Sequence, residues 1–113
     1  MENNLFHYRG NVVKVYDGDT ITVDIDLGFH VQMKKEKFRL NRINTPEVRG
    51  PEKEQGYVSR DWLRNRILGK EIMLVTLKDK KGKYGRWLAD IWMEGICIND
   101  ELVALGLAEY KEY

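Results

Sequence analysis

The sequence predicts a mainly β fold with α (α+β): a five-stranded barrel of the OB type, with a helix between strands 3 and 4 and a second, C-terminal helix. Three observations carry this. Ile21, Val23, Ile25 and Leu27 alternate with Thr22, Asp24 and Asp26, the two-residue period of a half-buried strand. A stretch with helical apolar spacing opens on Gly50-Pro51 and closes on Gly69. Three short apolar-patterned segments precede that stretch and two follow it, the order of a small OB barrel, a fold that hosts oligonucleotide binding without by itself implying it.

The chain has 113 residues, which fits one domain, 1–113, with a modest core and no need of staples. Its 42% hydrophobic and 33% charged residues are ordinary for a globular protein. No apolar run approaches the roughly 20 residues that cross a bilayer, so a membrane-spanning role is excluded. Met1-Glu2-Asn3-Asn4 offers neither a basic start nor an apolar core, so no signal peptide is expected in this chain and the expected location is intracellular. Cys97 is the single cysteine, which rules out an internal disulfide and a cysteine-based metal site; Ile96 and Ile98 on either side predict a packed thiol. The net charge of +1 is small for a nucleic-acid binder. The distribution is less neutral: Lys78, Lys80, Lys81, Lys83 and Arg86 cluster downstream, and Arg39, Arg42 and Arg49 surround a central loop.

In chain order, Val12 to Tyr16 reads as a first strand, and Asp17-Gly18 has the chemistry of a tight hairpin turn into the second, from Ile21 to Leu27. Asp19 shares the parity of Ile21 and Val23, so its carboxylate is expected at the apolar face, where it needs a cation or hydrogen-bond donors. Gly28 loosens the next connection. A third strand runs through Val31 and Met33 to Phe38 and Leu40, with Arg39 projecting away from its apolar neighbours. Pro46 ends this segment and pushes Thr45 towards an extended conformation.

Gly50-Pro51 then starts a helix of about 17 residues, with Val58, Trp62, Leu63, Arg66, Ile67 and Leu68 as its stripe and Gly69 as its stop. The apolar run from Glu71 to Leu77 predicts a strand covered on both faces. A basic loop follows from Lys78 to Gly85, then a strand from Trp87 to Met93, a turn at Glu94-Gly95 and a short segment from Ile96 to Ile98. Asn99 is expected to cap the second helix, and Gly106 to end it with Leu107 folding back on Leu102. His7 and His30 have no spaced partners and are expected at the surface.

Each polar segment has an ordinary structural reading. Asp17-Gly18 is turn chemistry, Arg39 a solvated strand residue, Glu47 a loop acid or a partner for Arg49, and Lys83-Tyr84-Gly85-Arg86 a solvated connection. Their combination points further. Oxygen ligands at Asp19, Asn44 and the Thr45 carbonyl suit a hard cation, calcium above all. Glu47 is placed to orient or deprotonate water, and Arg39 with Arg86 to grip a phosphate from two sides. That set is suited to hydrolysis of a phosphodiester.

Val15-Tyr16-Asp17-Gly18-Asp19-Thr20, Phe38-Arg39-Leu40, Thr45-Pro46-Glu47, Lys83-Tyr84-Gly85-Arg86 and the segment Asn99 to Ala108 together resemble the staphylococcal nuclease (thermonuclease) family, over about residues 10 to 109. The resemblance implies an OB-fold nuclease that uses calcium to hydrolyse DNA and RNA and leaves 3′-phosphates. It implies that Asp19 is the metal-binding acid, Arg39 and Arg86 the phosphate-binding arginines and Glu47 the proposed general base. It also implies that Lys83 and Tyr84 contact the terminal phosphate of a bound nucleotide. The expected partners are single-stranded DNA or RNA, with duplex DNA as a further candidate, and the expected state is a monomer. Two features depart from the family pattern. Asn44 stands where the family has aspartate, which removes one negative charge from the cation site and predicts weaker calcium binding and a looser choice of metal. Tyr110 and Tyr113 do not fall in register with the family's base-stacking tyrosines. The competing readings are a noncatalytic nucleic-acid-binding module with a weakened metal site, and a protein-interaction domain using Trp87, Trp92 and the tyrosines.

Overall fold

The computed structural model describes residues 6–81 and 86–111. Strand β1, His7–Asp17, pairs antiparallel with β2, Thr20–Gly28, which pairs antiparallel with β3, Val31–Leu40. Ile21, Val23 and Ile25 are buried, as their alternation predicts. In β1 the register slips between Val12 and Lys14, so Val12 and Val15 face inward while Val13 is left outside. The far half of the β2–β3 hairpin extends past the core, and Leu27, Val31 and Met33 are exposed there.

The bend between β1 and β2 falls one residue later than the Asp17-Gly18 turn expected from sequence. Asp17 pairs with Thr20, and Gly18 and Asp19 make the turn. The Asp17 carboxylate fixes it by accepting the Asp19 N–H at 3.0 Å. Gly18 is required for space rather than for conformation: a Cβ there would stand 2.8 Å from both Ser59 Cβ and Thr45 Cγ2.

After β3, the chain turns through Asn41 and Arg42 into the two-residue strand β4, Ile43–Asn44. A single 3₁₀ turn, Gly50–Glu52, holds Pro51 and leads into helix α1, Lys53–Ile67. The buried face of α1 is Gly56, Ser59, Leu63 and Ile67; of the expected stripe Leu63 and Ile67 are buried and Trp62 packs against the core, whereas Val58 and Leu68 are exposed. The reason is close approach. A Cβ on Gly56 would collide with the Glu47 carbonyl and the Val48 nitrogen, so the helix lies directly on that backbone. The Ser59 hydroxyl donates to the Leu107 carbonyl at 2.7 Å on the same face.

Strand β5, Glu71–Lys81, pairs with β1 and with β6, Trp87–Met93, both antiparallel. A parallel pairing of β3 with β6, Phe38 opposite Trp87 through Leu40 opposite Ala89, closes a five-stranded barrel of β1, β2, β3, β5 and β6. The expected two-sided cover of β5 is not found. Ile72 and Leu74 face the barrel interior, whereas Met73 and Leu77 are exposed, because α1 packs on β1 instead. Trp87 packs against the core, and Trp92 on the outer face is 38% exposed.

The short β7, Ile96–Cys97, leads into helix α2, Ile98–Ala104. Asn99 does not cap α2; Cys97 occupies the cap position. The Asn99 side chain is fully buried and serves β6 instead, accepting from Ile91 N at 2.9 Å and donating to the Asn41 carbonyl at 2.8 Å and the Ala89 carbonyl at 3.3 Å. The end of α2 is as expected: Gly106, with φ +75°, donates to Val103 O, and Leu107 to Leu102 O, the two bonds of a Schellman motif. A last strand, β8, Glu109–Tyr110, pairs with β4 and brings the C-terminal segment against the central loop. His7 and His30 are exposed, and Cys97 is a buried free thiol whose pKa burial pushes up.

Candidate active site

Two strand connections meet at one end of the barrel: the β1–β2 turn with Asp17 and Asp19, and the loop from Arg39 to Glu47. They are sewn together by backbone. Leu40 N donates to the Asp19 carbonyl at 2.8 Å, and Thr45 N donates to Asp19 Oδ2 at 3.0 Å. The pairing of Asn44 with Glu109 and the bond from Lys111 N to the Arg42 carbonyl, 2.7 Å, hold the loop from its other side.

Asp19 is 6% exposed and compensated on both oxygens. Oδ1 accepts from the Thr20 hydroxyl at 3.3 Å; besides the Thr45 N–H, Oδ2 lies 3.2 Å from Arg39 Nη1. The Arg39 side chain is 11% exposed, so this is a nearly dry ion pair, tolerable because both partners carry further hydrogen bonds. Nη1 also donates to the carbonyls of Leu40, at 3.2 Å, and Ile43, at 3.0 Å, and Nη2 to Asn44 Oδ1 at 3.2 Å. Arginine donates only, so the Asn44 amide must present its oxygen. Arg39 thus reaches across the loop instead of standing out in solvent.

Arg86 comes from the far side of the barrel, one residue before β6. Its Nη1 donates to the Thr20 hydroxyl at 3.0 Å, so Thr20 bridges Arg86 and Asp19. Sequence reasoning gave Thr20 no role, although it stands beside Asp19 at the start of β2. The sequence marks Asp17, too, only as a turn residue. Burial first, and then the hydrogen bond and charge of Asp19, raise its pKa to about 7. Two neighbouring carboxylates therefore differ in environment: one is paired, the other is pushed towards its protonated form.

Glu47 is exposed, its backbone pinned under Gly56. Arg49 does not require it as a partner, since Arg49 Nη2 donates to the Tyr16 hydroxyl at 2.9 Å. Arg42, expected to add positive potential around the loop, is spent on structure: it bridges Asp90 at 3.2 Å and Asp100 at 3.1 Å and stacks 6.0 Å from the Tyr110 ring centroid. Lys83 and Tyr84 lie outside the described residues, as does Tyr113.

Among the described residues no three His, Cys, Asp or Glu side chains converge into a ready-made metal site. The oxygens present nevertheless fit a hard cation in kind: one carboxylate, one amide, neighbouring backbone carbonyls and the Thr45 hydroxyl, which is buried with no hydrogen-bond partner among the described residues. The set is weak in charge, because Arg39 stands among its oxygens.

Residues 37–113 match the family model described as staphylococcal nuclease homologue. The chain is 32% identical over 105 residues to the thermonuclease of Staphylococcus hyicus, a match covering 90% of this chain and 59% of that protein. It is 31% identical over 107 residues to an uncharacterized endonuclease of Escherichia coli O157:H7, covering 93% and 63%. It is also 31% identical over 127 residues to an uncharacterized protein of Methanocaldococcus jannaschii, covering 90% and 58%. The chain thus spans about three fifths of the length of these three relatives. By the family match and by these identities, the chain belongs to the staphylococcal nuclease homologue family.

Proposed function

We propose that this chain, as one domain over residues 1–113, is a calcium-dependent nuclease that hydrolyses DNA or RNA with little sequence preference and leaves 3′-phosphates. The observation that carries this reading is the meeting of Arg39 and Arg86, from different elements, around Asp19 and the Thr20 hydroxyl. The names of the Staphylococcus and Escherichia relatives support it. When bound, the cation supplies positive charge that polarises the phosphodiester and lowers the pKa of nearby water. Asp19, Asn44 and Thr45 would hold it. Arg86 is tied to its place before substrate arrives, so its guanidinium meets the developing phosphoryl charge without reorganising. Glu47, exposed on a loop fixed by α1, orients water and takes its proton as the water oxygen bonds to phosphorus and the P–O5′ bond breaks; O5′ takes a proton from solvent and leaves as a 5′-hydroxyl. Lys83 and Tyr84 are assigned to the terminal phosphate by the resemblance alone.

The test is cleavage of single-stranded DNA by purified protein across a calcium titration, with chelator and Glu47→Gln as controls. Cleavage that needs calcium and is lost in both controls is the expected result. A second reading, a noncatalytic nucleic-acid-binding module, is favoured by one observation: Arg39 is engaged with the loop and with neutral Asn44. Folded protein that binds single-stranded DNA in chelator yet cleaves none at any calcium level establishes that reading and removes the first.

A further inference from the structure

We infer, resting on the reading of the site as one that takes a nucleic-acid strand but not on hydrolysis itself, that the strand continues from the site along the junction of β1 and α1. Arg49 and Tyr16 open this path beside Glu47, the first for a phosphate and the second for a base, and Tyr57, Arg60 and Arg64 of α1 prolong it. The ligand is a single-stranded polynucleotide several nucleotides long.

Arg49 stands two residues after Glu47, at most about 7 Å of chain away, in extended backbone with φ −134° and ψ 161°. It is exposed, and its Nη2 donates to the Tyr16 hydroxyl at 2.9 Å. A phenol orients the guanidinium without neutralising it. Among the described residues no carboxylate forms an ion pair with Arg49. The Tyr16 hydroxyl first, and then the nearby charge of Glu47, raise its pKa. The same bond orders the Tyr16 ring, which is 42% exposed and one residue before Asp17 of the β1–β2 turn. An ordered, accessible aromatic beside an ordered cation suits an unpaired base and its phosphate together.

The adjoining flank of α1 repeats the pattern. Lys53, Tyr57, Arg60 and Arg64 recur at helical spacing and share one stripe, while Glu54, Val58 and Asp61 share the next. The basic stripe borders β1, because Arg64 Nε and Nη2 both donate to the Val15 carbonyl at 3.2 Å, one residue from Tyr16. Again a neutral oxygen orients an exposed arginine. Arg60 lies 4.6 Å from the Tyr57 ring centroid, and its pair with Asp61, 3.0 Å, is a surface pair of little strength. From Lys53 to Arg64 the stripe runs about 16 Å along the helix, with its cations set apart from the acids of the same helix. That segregation complements a chain of phosphates. Paired bases stack on one another and not on Tyr16 or Tyr57, so the aromatic rings select a single strand.

The experiment is binding of a fluorescent twelve-nucleotide oligothymidylate to the full chain, read by anisotropy in chelator over a salt series, so that nothing is cleaved. Wild type is compared with Arg49→Gln, Arg49→Lys, Arg60→Gln, Tyr16→Leu and Tyr16→Phe, each shown to be folded by thermal melting. Arg49→Gln and Arg60→Gln are each expected to weaken binding about fivefold at low salt. Each should also make the slope of log affinity against log salt shallower by about 0.7, the value for one phosphate contact of a single strand. Arg49→Lys keeps the charge and should restore the slope. Tyr16→Leu should weaken binding about tenfold at every salt concentration with the slope unchanged, and Tyr16→Phe should retain most of the affinity. A bond between Tyr16 and Arg49 that only braces the loop gives another pattern: Phe as harmful as Leu, Lys no better than Gln, and an unchanged slope throughout. That pattern overturns the inference, as does wild-type protein that fails to bind the oligonucleotide. If the expected pattern appears but calcium brings no cleavage, the path stands and only the hydrolytic reading falls. If DNA is cleaved and every variant binds as wild type does, hydrolysis stands and the path falls.

Discussion

Arg86 Nη1 donates to the Thr20 hydroxyl at 3.0 Å, although 66 residues separate them, and the same hydroxyl donates to Asp19 Oδ1 at 3.3 Å. One small side chain therefore fixes the distance between the acid of the β1–β2 turn and an arginine that stands just before β6. Neither group could take this geometry from its own strand, because β2 and β6 are not neighbours in the sheet.

Thr20→Val retains shape and removes the bridge. Its stability cost should be about 1–3 kcal/mol, the range for a buried hydrogen bond removed from one side. Turnover should fall about 10- to 100-fold with little change in KM, since a displaced arginine spoils the transition state more than encounter. Thr20→Ser should restore most of the loss. Steady-state cleavage beside thermal melts checks both parts, and equal turnover for the Val and Ser variants removes Thr20 from the arrangement.

At Gly56 two effects oppose each other. Alanine in a helix interior gains up to about 1 kcal/mol over glycine. Here its Cβ would meet the backbone of Glu47 and Val48, which cannot step aside as a flexible side chain would. Overpacking of that kind costs about 1–3 kcal/mol, so Gly56→Ala should be net destabilising. Urea denaturation should show a lower midpoint at unchanged slope, and activity should fall with it because the clash pushes Glu47 out of place.

The same glycine shows where sequence reading stops. Ile21, Val23 and Ile25 reveal β2 because large apolar side chains mark the core by period, and Leu63 and Ile67 do so for the second half of α1. Gly56 and Ser59 are equally buried, yet their burial comes from close backbone approach, which no hydrophobic period records. The constellation of Asp19, Arg39, Asn44, Thr45 and Arg86 was legible because charged groups flanking turns and strand ends are chemically conspicuous. Their partners were not. Arg42 reads as free positive charge until residues 48 and 58 positions away turn out to neutralise it. Strands β4 and β8, two residues each, are too short to carry a period at all.

Asn99 looks like a helix cap in sequence and is a strand clamp in the fold. Asn99→Ala leaves the Ile91 N–H and the Asn41 carbonyl facing a gap, while the Ala89 carbonyl keeps the Asn41 N–H at 2.8 Å. At about 1–3 kcal/mol for each buried group left unpaired, a total near 3 kcal/mol or more is expected. Asn99→Asp should be no better. Its carboxylate still accepts from Ile91 N but offers no N–H to the two carbonyls, and it faces Asp90 Oδ1, now 3.1 Å from the Asn99 amide nitrogen. Chemical denaturation of both variants checks this; a melting point within a degree of wild type for Asn99→Asp would falsify the clamp.

The Arg42 cluster predicts how acid acts on the end of the fold that holds the loop. Burial alone would raise the Asp100 pKa, but hydrogen bonds from Arg42 and from the Tyr110 hydroxyl, 2.9 Å, hold it below its usual value. A carboxylate depressed in the folded state contributes stability that is fully present above its unfolded pKa, about 3.9, and is lost as pH falls through the lower folded value. Asp90 in the same cluster is raised, chiefly by burial, so its contribution runs the other way and is lost as pH rises through its folded value. The side chain of Asp100 is 45% exposed, so solvent screening keeps its effect small. Asp100→Asn should therefore melt below wild type at pH 7, and the gap should close as the pH drops below that of the unfolded carboxylate. Since Arg42 also carries the carbonyl that binds Lys111 N, the variant should loosen the β4–β8 pairing before the barrel itself, seen as faster hydrogen exchange of the Lys111 amide. A gap in melting temperature that stays constant from neutral to acid pH would mean that Asp100 acts through packing and not through its charge.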